Sequence, residues 1–253
     1  MILYFSATGN SKYVAEKIAA ELNDTAVSMV ECIENNNYDF KVCDGEKIGI
    51  VSPTYAWKLP LVVEKFLSRF QVSVQSAPYI FYIATYGTTP GQTGYYAQKF
   101  LEKNKLEMSA AYGVKMPDNW TPTFDLSDPE KVEKINMAAE KYIRRAVKHI
   151  KEEKRGNFQF PRTPHFTDKI AAKQYEKMRE TRHFYVEDTC TGCGLCQIKC
   201  PAHVIALEYG KPVWKADQCY MCLGCLHRCP AFSIQYEDRT KNHGQYLNPH
   251  VKI

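Results

Sequence analysis

Residues Cys190–Glu208 read C-T-G-C-G-L-C-Q-I-K-C-P-A-H-V-I-A-L-E, and this stretch sets the architecture of the C-terminal part of the chain. A second copy, C-Y-M-C-L-G-C-L-H-R-C-P-A-F-S-I-Q-Y-E, follows 29 residues later over Cys219–Glu237. Both copies have the spacing C-x2-C-x2-C-x3-C-P. A short pattern that returns in this way predicts a small module built from an internal repeat.

The spacing of these cysteines predicts two 4Fe-4S clusters. Three cysteines at two-residue gaps allow a tight loop to ligate three corners of one cuboidal cluster, and the fourth, which precedes proline, ligates the other cluster. Cluster one is therefore expected on Cys190, Cys193, Cys196 and Cys229, and cluster two on Cys219, Cys222, Cys225 and Cys200.

Two alternatives to redox-active clusters stay open. Zinc commonly uses C-x2-C pairs separated by a longer gap, which fits two complete four-cysteine runs less well. Clusters that only hold the fold are the second alternative, although two adjacent clusters form a ready path for electrons. The segment from about Phe184 to Glu237 resembles the bacterial two-cluster ferredoxins. Within it, His227 is expected to be exposed.

The N-terminal stretch Phe5–Ser11, F-S-A-T-G-N-S, lies between a predicted strand and a predicted helix. Its hydroxyl and amide groups, together with backbone N–H groups at the start of the helix, are typical of a site for a phosphate monoester. No lysine follows the glycine and no G-x-G-x-x-G is present, so a triphosphate loop and a dinucleotide fold are disfavoured. An ordinary polar turn that caps the helix is the alternative. The candidate phosphate-binding residues are Ser6, Thr8, Gly9, Asn10 and Ser11.

Two further loops, Ser52–Trp57 and Ala84–Gly91, follow predicted strands at the end where doubly wound sheets bind ligands. Their aromatic side chains are suited to stacking on both faces of a planar ring. Each aromatic taken singly fits the core or the surface better, but together with the phosphate loop they indicate a ligand site. The candidate residues are Pro53, Thr54, Tyr55, Trp57, Thr85, Tyr86 and Gly87, where the glycine allows the backbone to approach the edge of the ring.

With these loops, the segment of about Met1–Arg155 resembles the flavodoxins, whose T-x-T-G-x-T phosphate signature is similar to F-S-A-T-G-N-S. The whole chain resembles the flavodoxin–ferredoxin fusion proteins of anaerobic prokaryotes. The resemblance implies FMN, a five-stranded parallel sheet of order 2-1-3-4-5, and a flavin ring between the loops that contain Trp57 and Tyr86. Whether Tyr55 or Trp57 stacks on the ring is left open. Asp118, Asn119 and Trp120, after the last strand, either border the flavin or a substrate or form a capped turn.

Apolar periodicity predicts alternating strands and helices over the first part of the chain, which is typical of a doubly wound α/β domain. The predicted strands are Ile2–Phe5, Ala26–Val30, Lys47–Ser52, Tyr79–Thr85 and Ser109–Met116. The predicted helices are Asn10–Leu22, Leu61–Phe70, Thr93–Lys103 and one that begins with a capping box at Ser127 and Glu130. We therefore expect a flavodoxin-like FMN-binding domain over 1–155, a connector with a helix over 156–183, and a small α+β two-cluster domain over 184–253. The boundary is placed at Gly156–Thr167, because this segment contains two prolines and interrupts the alternation of strands and helices.

Composition limits the classes of function. Only Cys32 and Cys43 of the ten cysteines lie outside the repeats, and they are expected to be inert packing residues. The formal net charge of +5 falls close to zero once bound clusters and a phosphate are counted, so no nucleic-acid partner is expected. No apolar run reaches about 18 residues, and the N-terminus has no basic leader. These features predict a cytoplasmic protein with no membrane segment.

Two functions are consistent with these features. In the first, the protein transfers electrons between the two clusters and FMN and converts one- and two-electron steps for partner redox proteins in anaerobic metabolism. In the second, it is a flavin-dependent reductase that passes electrons from the clusters to a small-molecule acceptor. A small open face at the flavin indicates a carrier, whereas a pocket with polar groups indicates a reductase. No catalytic residue is assigned, since no Ser-His-Asp or Cys-His arrangement is evident.

Overall fold

The computed structural model describes residues 1–161, 163–164 and 168–253. The break predicted at Gly156–Thr167 therefore lies partly outside the described residues. Among the residues that are described, no helix combines the length and the apolar character needed to cross a membrane.

Strands and helices alternate through the N-terminal part of the chain. In chain order these elements are β1 (Ile2–Tyr4), α1 (Asn10–Leu22), β2 (Ala26–Ser28), α2 (Met29–Glu34), β3 (Asp39–Lys41), β4 (Lys47–Pro53), α3 (Leu61–Leu67), β5 (Gln71–Ser73), β6 (Tyr79–Tyr86), α4 (Thr93–Lys103), β7 (Ala110–Lys115), α5 (Pro129–Lys151) and β8 (Gly156–Asn157). The order gives an α/β fold, as the apolar periodicity predicts.

The main sheet has six strands in the order β2-β1-β4-β6-β7-β8, and every neighbouring pair is parallel. All eight residues of β6, near the centre, are buried, because helices cover both faces of the sheet. Two apolar clusters form the core, one on each side. The short strands β3 and β5 form a separate parallel pair.

The predicted sheet of five strands is wrong by one strand. β8 pairs with β7 through Gly156 opposite Ala110 and Asn157 opposite Ala111. These residues belong to the predicted connector, so the sheet continues past residue 155. The physical reason is that β7 would otherwise be an edge strand with unpaired backbone groups, which β8 covers.

The start of α5 also differs from the prediction. Asp128, and not Ser127, is the N-cap: its Oδ1 accepts hydrogen bonds from the backbone N–H groups of Glu130 at 3.0 Å and Lys131 at 3.1 Å. Pro129 then occupies the first turn, where its missing N–H costs nothing.

The C-terminal part consists of short elements around the cysteine loops. They are α6 (Asp168–Met178), a 3-10 turn (Thr181–His183), β9 (Phe184–Val186), α7 (Leu195–Ile198), β10 (Ile205–Glu208), β11 (Lys211–Trp214), α8 (Gly224–Arg228), β12 (Ile234–Tyr236) and α9 (Thr240–His243). β10 pairs antiparallel with β11, and β12 with β9. α7 and α8 occupy equivalent places in the two repeats.

The C-terminal part packs directly against the N-terminal sheet domain. Its apolar cluster, which includes Leu226 and Tyr236, also contacts Tyr55 and Trp120 of the N-terminal part. Past α9 the chain returns to the N-terminal part, where the backbone N–H of Asn248 donates to the carbonyl oxygen of Thr8 at 2.7 Å. We call residues 245–253 the C-terminal tail.

Candidate functional site

A cavity of about 520 Å³ lies at the carboxyl ends of β1, β4, β6 and β7. This is where an open parallel sheet binds its ligand, because the loops that leave neighbouring strands meet there. The structure brings all the predicted phosphate- and ring-binding residues except Gly9 to its walls: Ser6, Thr8, Asn10, Ser11, Pro53, Thr54, Tyr55, Trp57, Thr85, Tyr86 and Gly87.

The phosphate loop is held by hydrogen bonds that leave donors free. The backbone N–H of Gly9 donates to Ser6 Oγ at 3.1 Å, and Ser11 Oγ lies 2.8 Å from Thr85 Oγ1. Thr8 Oγ1 accepts from the side-chain amide of Asn119 at 2.6 Å. A threonine hydroxyl that accepts one bond still has its own hydrogen to donate, so the Thr8 hydroxyl can bind a phosphate oxygen.

Gly9 has a different role from the one expected. Its φ of 103° lies in the left-handed region, and α1 begins at the next residue. A Cβ built on Gly9 would lie 2.6 Å from Ile253 Cδ1 and 2.7 Å from Asn248 Cβ. The residue is therefore required for the turn and for close packing of the C-terminal tail, and it does not line the cavity.

The loop after β4 leaves two buried polar groups without a partner. Thr54 Oγ1 and the Tyr55 hydroxyl have no hydrogen-bond partner among the described residues, although both side chains line the cavity. Burial raises the pKa of Tyr55 well above its usual value. Buried polar groups without partners are rare in proteins, so these two indicate a polar ligand in the cavity.

The two segments at the carboxyl ends of β4 and β6, Ser52–Trp57 and Ala84–Gly91, are called the ring loops. Their aromatic residues differ in exposure. Trp57 has a positive φ of 65° and remains 37% exposed, whereas Tyr86 is buried and its hydroxyl donates to the carbonyl oxygen of Phe160 at 3.0 Å. Tyr55 packs edge-on against Phe5, with ring centroids 6.3 Å apart. Trp57 is therefore the most open aromatic side chain of the two loops.

Asp118 approaches Gly87 from the loop after β7. A Cβ on Gly87 would lie 2.1 Å from Asp118 Oδ2, so the glycine makes room for this carboxyl group. Oδ1 of Asp118 accepts a hydrogen bond from the backbone N–H of Trp120 at 3.2 Å. Burial raises the pKa of Asp118, since desolvation disfavours the charged form.

Sequence reasoning missed one whole side of the cavity. Ala171, Gln174, Tyr175 and Met178 of α6, together with the loop Met221–Leu223, line it opposite the sheet. The four α6 residues recur at three- and four-residue spacing, which is the signal of a packed helix face. Nothing in that spacing says which surface the face covers.

The eight motif cysteines lie in two groups around two smaller cavities of about 20 Å³ each. Cys190, Cys193, Cys196 and Cys229 line one of them, and Cys200, Cys219, Cys222 and Cys225 line the other. The last cysteine of each repeat therefore joins the group of the other repeat. Cys32 is buried and Cys43 is exposed, and both lie outside the two groups.

The chemistry of these groups fits a metal cluster whose iron–sulfur core is positively charged and is ligated by thiolates. Burial raises the pKa of Cys219 to about 12 and also raises that of Cys222 and Cys225, so as free thiols they hold their protons. A bound cluster deprotonates its thiol ligands outright. Backbone N–H groups already point at sulfur: Met221 N lies 3.2 Å from Cys219 Sγ, and Ser233 N lies 3.3 Å from Cys229 Sγ. Among the described residues, no three His, Cys, Asp or Glu side chains converge on a single-ion position.

The expectation that His227 is exposed is wrong. The side chain retains 2% exposure because α8 packs against the N-terminal part. Its Nδ1 accepts from the backbone N–H of Tyr246 at 3.1 Å, and its Nε2 lies 2.9 Å from the carbonyl oxygen of Asn119. With Nδ1 accepting, Nε2 must carry the hydrogen. Burial lowers the pKa of His227 to about 4, so the ring is neutral.

Family models match both parts of the chain. Residues 1–146 match a flavodoxin domain. The chain belongs to the flavodoxin family. Residues 182–243 of this flavodoxin match a 4Fe-4S dicluster domain, so the chain is a flavodoxin–ferredoxin fusion. The first domain implies a flavin and the second implies 4Fe-4S clusters.

Individual relatives of the fusion protein are distant. The Hydrogenase-2 operon protein HybA of Escherichia coli O157:H7 and that of Shigella flexneri are each 29% identical over 70 residues. The match covers 22% of this chain and 21% of each relative, so the chain spans about a fifth of their length. A solved structure, the Trp repressor binding protein from Bacillus subtilis, aligns with a TM-score of 0.34 and 10% identity, over 56% of this chain and 97% of that chain.

Proposed function

We propose that this protein transfers electrons between two 4Fe-4S clusters and FMN, and that it serves partner redox proteins in the cytoplasm of an anaerobe. One observation carries the proposal: Cys222, a ligand of cluster two, lines the same cavity as the phosphate loop and the two ring loops. When bound, FMN supplies a two-electron centre and each cluster a one-electron centre. The chain's own residues bind these groups and place them side by side.

The phosphate loop and the ring loops would hold FMN. Thr8 and Ser6 each have a hydroxyl hydrogen to donate, and the backbone N–H groups at the start of α1 add to them. The hydroxyls of Thr54 and Tyr55, for which the described residues offer no hydrogen-bond partner, are available to polar atoms of the ligand. Since the loop contains no lysine or arginine, it suits a single terminal phosphate.

The grouping of the cysteines supports a defined order of centres. Cys222, in the group of cluster two, faces the flavin cavity. In the group of cluster one, Cys193 is exposed. We therefore propose that cluster two exchanges electrons with the flavin and that partner proteins approach near Cys193.

A second candidate function is direct reduction of a small-molecule acceptor. Further polar side chains, among them Asp118 and Gln174, line the cavity in addition to the predicted flavin-binding residues. Desolvation raises the pKa of the half-buried Asp118 carboxyl group, so it holds a proton more tightly than a free carboxyl group does, and a carboxyl group tuned in this direction is suited to act as a general acid during reduction. If this function is correct, Asp118→Asn should slow turnover of an acceptor and leave electron transfer from the clusters to FMN unchanged.

The test of the proposed function is whether electrons pass within one molecule. Protein loaded with FMN and iron is mixed anaerobically with a one-electron donor that reduces the clusters first, and the flavin absorbance is followed at several protein concentrations. Transfer inside one molecule predicts a rate that does not depend on protein concentration. A rate proportional to concentration would show that electrons pass between molecules, and the proposal would then be wrong.

A further inference from the structure

The phosphate loop of the flavodoxin domain, Phe5–Ser11, is in contact with the C-terminal module, by which we mean residues 184–253. A Cβ built on Gly224, at the start of α8, would lie 3.7 Å from the Cβ of Ala7. Three polar residues of the module and its tail, His227, Tyr246 and Asn248, are buried next to the loop with at most 4% exposure. Each of them makes hydrogen bonds that lead to a residue of the phosphate loop.

The first line of hydrogen bonds runs from His227 to Thr8. His227 Nε2 donates to the carbonyl oxygen of Asn119 at 2.9 Å, and the side-chain amide of Asn119 donates to Thr8 Oγ1 at 2.6 Å. The second bond fixes the direction of the Thr8 hydroxyl hydrogen, because the oxygen already accepts on one side. The cluster loop thereby orients a group that faces the phosphate position.

The second line runs from the C-terminal tail to Asn10. Oδ1 of Asn10 accepts from the Tyr246 hydroxyl at 2.6 Å and from Asn248 Nδ2 at 3.1 Å, while its Nδ2 donates to the carbonyl oxygen of Pro117 at 3.1 Å. One N–H of the Asn10 amide thus remains for a ligand. The tail fixes the orientation of this side chain.

The tail is itself fastened to the loop of the cluster ligands. Gln245 Nε2 donates to the carbonyl oxygens of Leu226 at 2.7 Å and Cys229 at 2.8 Å. Tyr246 N donates to His227 Nδ1. Since Cys229 is expected to ligate cluster one, the position of the tail depends on the folded cluster loop.

We propose that the C-terminal module holds the phosphate loop in its binding conformation through these two lines, so that FMN affinity depends on the folded cluster module. The inference rests on the proposed function, because it takes the loop to bind the FMN phosphate. The residues in the two lines are positioning residues. They act by raising the population of the binding-competent loop, and a lower population weakens the apparent affinity in proportion.

The test compares FMN with riboflavin, which lacks the phosphate. Dissociation constants are measured by flavin fluorescence on full-length, cluster-loaded protein for the wild type, Tyr246→Phe and Asn119→Ala. Tyr246→Phe removes only a hydroxyl group, and Asn119→Ala keeps the carbonyl oxygen that His227 contacts. Loss of one hydrogen bond should weaken FMN binding roughly three- to tenfold. Riboflavin binding should stay unchanged, because no phosphate is involved.

The matched control is Tyr209→Phe, which removes the same hydroxyl from a fully exposed residue of the same module. It should bind both ligands like the wild type. The full-length chain without iron should lose FMN affinity at least as strongly as Tyr246→Phe. Iron content per chain is measured on every variant to show that the clusters are intact.

Several outcomes would overturn the inference. The first is FMN binding by Tyr246→Phe and Asn119→Ala that equals that of the wild type. The second is an equal loss for riboflavin and FMN, which indicates general destabilisation. The third is tight FMN binding by the iron-free chain. A wild-type protein that binds no FMN would instead refute the proposed function, so the two failures are distinguishable.

Discussion

The ring of Tyr55 lies 6.4 Å from the ring of Tyr175, measured between centroids, with an angle of 57° between the two planes. Tyr55 follows β4 in the flavodoxin domain, and Tyr175 belongs to α6. The Tyr175 hydroxyl donates to the carbonyl oxygen of Tyr220, in the loop of cluster two, at 3.0 Å. One buried side chain thus joins the sheet domain, the connector helix and the cluster module.

We expect Tyr175→Ala to loosen this junction. Loss of a buried aromatic ring destabilises a protein by about 3–5 kcal/mol, and here the gap would open next to the flavin cavity. Electron transfer from the clusters to FMN should become slower, and the unfolding midpoint should fall. Tyr175→Phe is the control, since it keeps the ring and removes only the hydroxyl group that donates to Tyr220. Equal transfer rates in Tyr175→Ala and the wild type would show that the junction does not set the rate.

The cofactor content is the next prediction. Because both four-cysteine groups are complete, protein purified without oxygen should contain about eight iron atoms per chain. It should also contain one FMN, released on denaturation and identified by mass. Iron and zinc are measured together by elemental analysis. About four irons, or zinc in place of iron, would contradict the two-cluster proposal.

Crossed ligation can be tested with one cysteine from each repeat. Cys200→Ala should damage cluster two, because Cys200 lies with Cys219, Cys222 and Cys225. Cys229→Ala should damage cluster one instead. Paramagnetic resonance of the reduced proteins is used to tell the two clusters apart, since in the described part of the chain Cys222, from the group assigned to cluster two, is the one motif cysteine that lines the larger cavity. Damage to the cluster of the variant's own repeat would reverse the assignment.

The phosphate loop gives a prediction on affinity. Thr8→Ala removes a hydroxyl group that we expect to donate to a charged phosphate, a bond worth roughly 1.5–3 kcal/mol. FMN affinity should therefore fall by that amount in a fluorescence titration. Ser76→Ala, at an exposed loop away from the cavity, is the control. Wild-type protein should bind FMN much more tightly than riboflavin, and equal affinities for the two would refute the phosphate site.

Sequence motifs predict the parts of this site that are formed by residues close to one another in the sequence. The C-x2-C-x2-C-x3-C spacing predicts the same two groups of cysteines that line the two smaller cavities, because three cysteines of each group lie in one tight loop. The phosphate loop is equally local, since it occupies one strand-to-helix turn.

Contacts between distant segments account for what the sequence left unpredicted. His227 is buried because α8 packs on the loop that contains Asn119, and β8 exists because β7 offers a free edge. The tail residues Tyr246 and Asn248 carry no motif, and they reach Asn10 across more than two hundred positions of the chain. Such contacts depend on how two domains dock, which periodicity does not encode.

The last prediction concerns the pH dependence of stability. Burial raises the pKa of Asp118 in the folded protein, so the folded state binds this proton more tightly than the unfolded chain does. The resulting stabilisation is complete below the pKa of the unfolded chain and is lost as the pH rises through the raised pKa. Asp118→Asn removes the titrating group and keeps an oxygen that can accept from Trp120. The variant should therefore gain stability relative to the wild type as the pH rises.

Asp125→Asn provides a control of opposite sign. Hydrogen bonds from Ser127 lower the pKa of the exposed Asp125, so its stabilisation is present at higher pH and is lost as the pH falls through the lowered pKa. Unfolding midpoints of cluster-loaded protein without FMN are compared over a series of pH values. The unfolding midpoint of the variant minus that of the wild type should rise with pH for Asp118→Asn. The same difference should become more negative with pH for Asp125→Asn. If the difference in unfolding midpoint between Asp118→Asn and the wild type did not change with pH, the carboxyl group of Asp118 would have the same pKa in the folded and unfolded protein. The proposed role of Asp118 as a proton donor would then lose its physical basis.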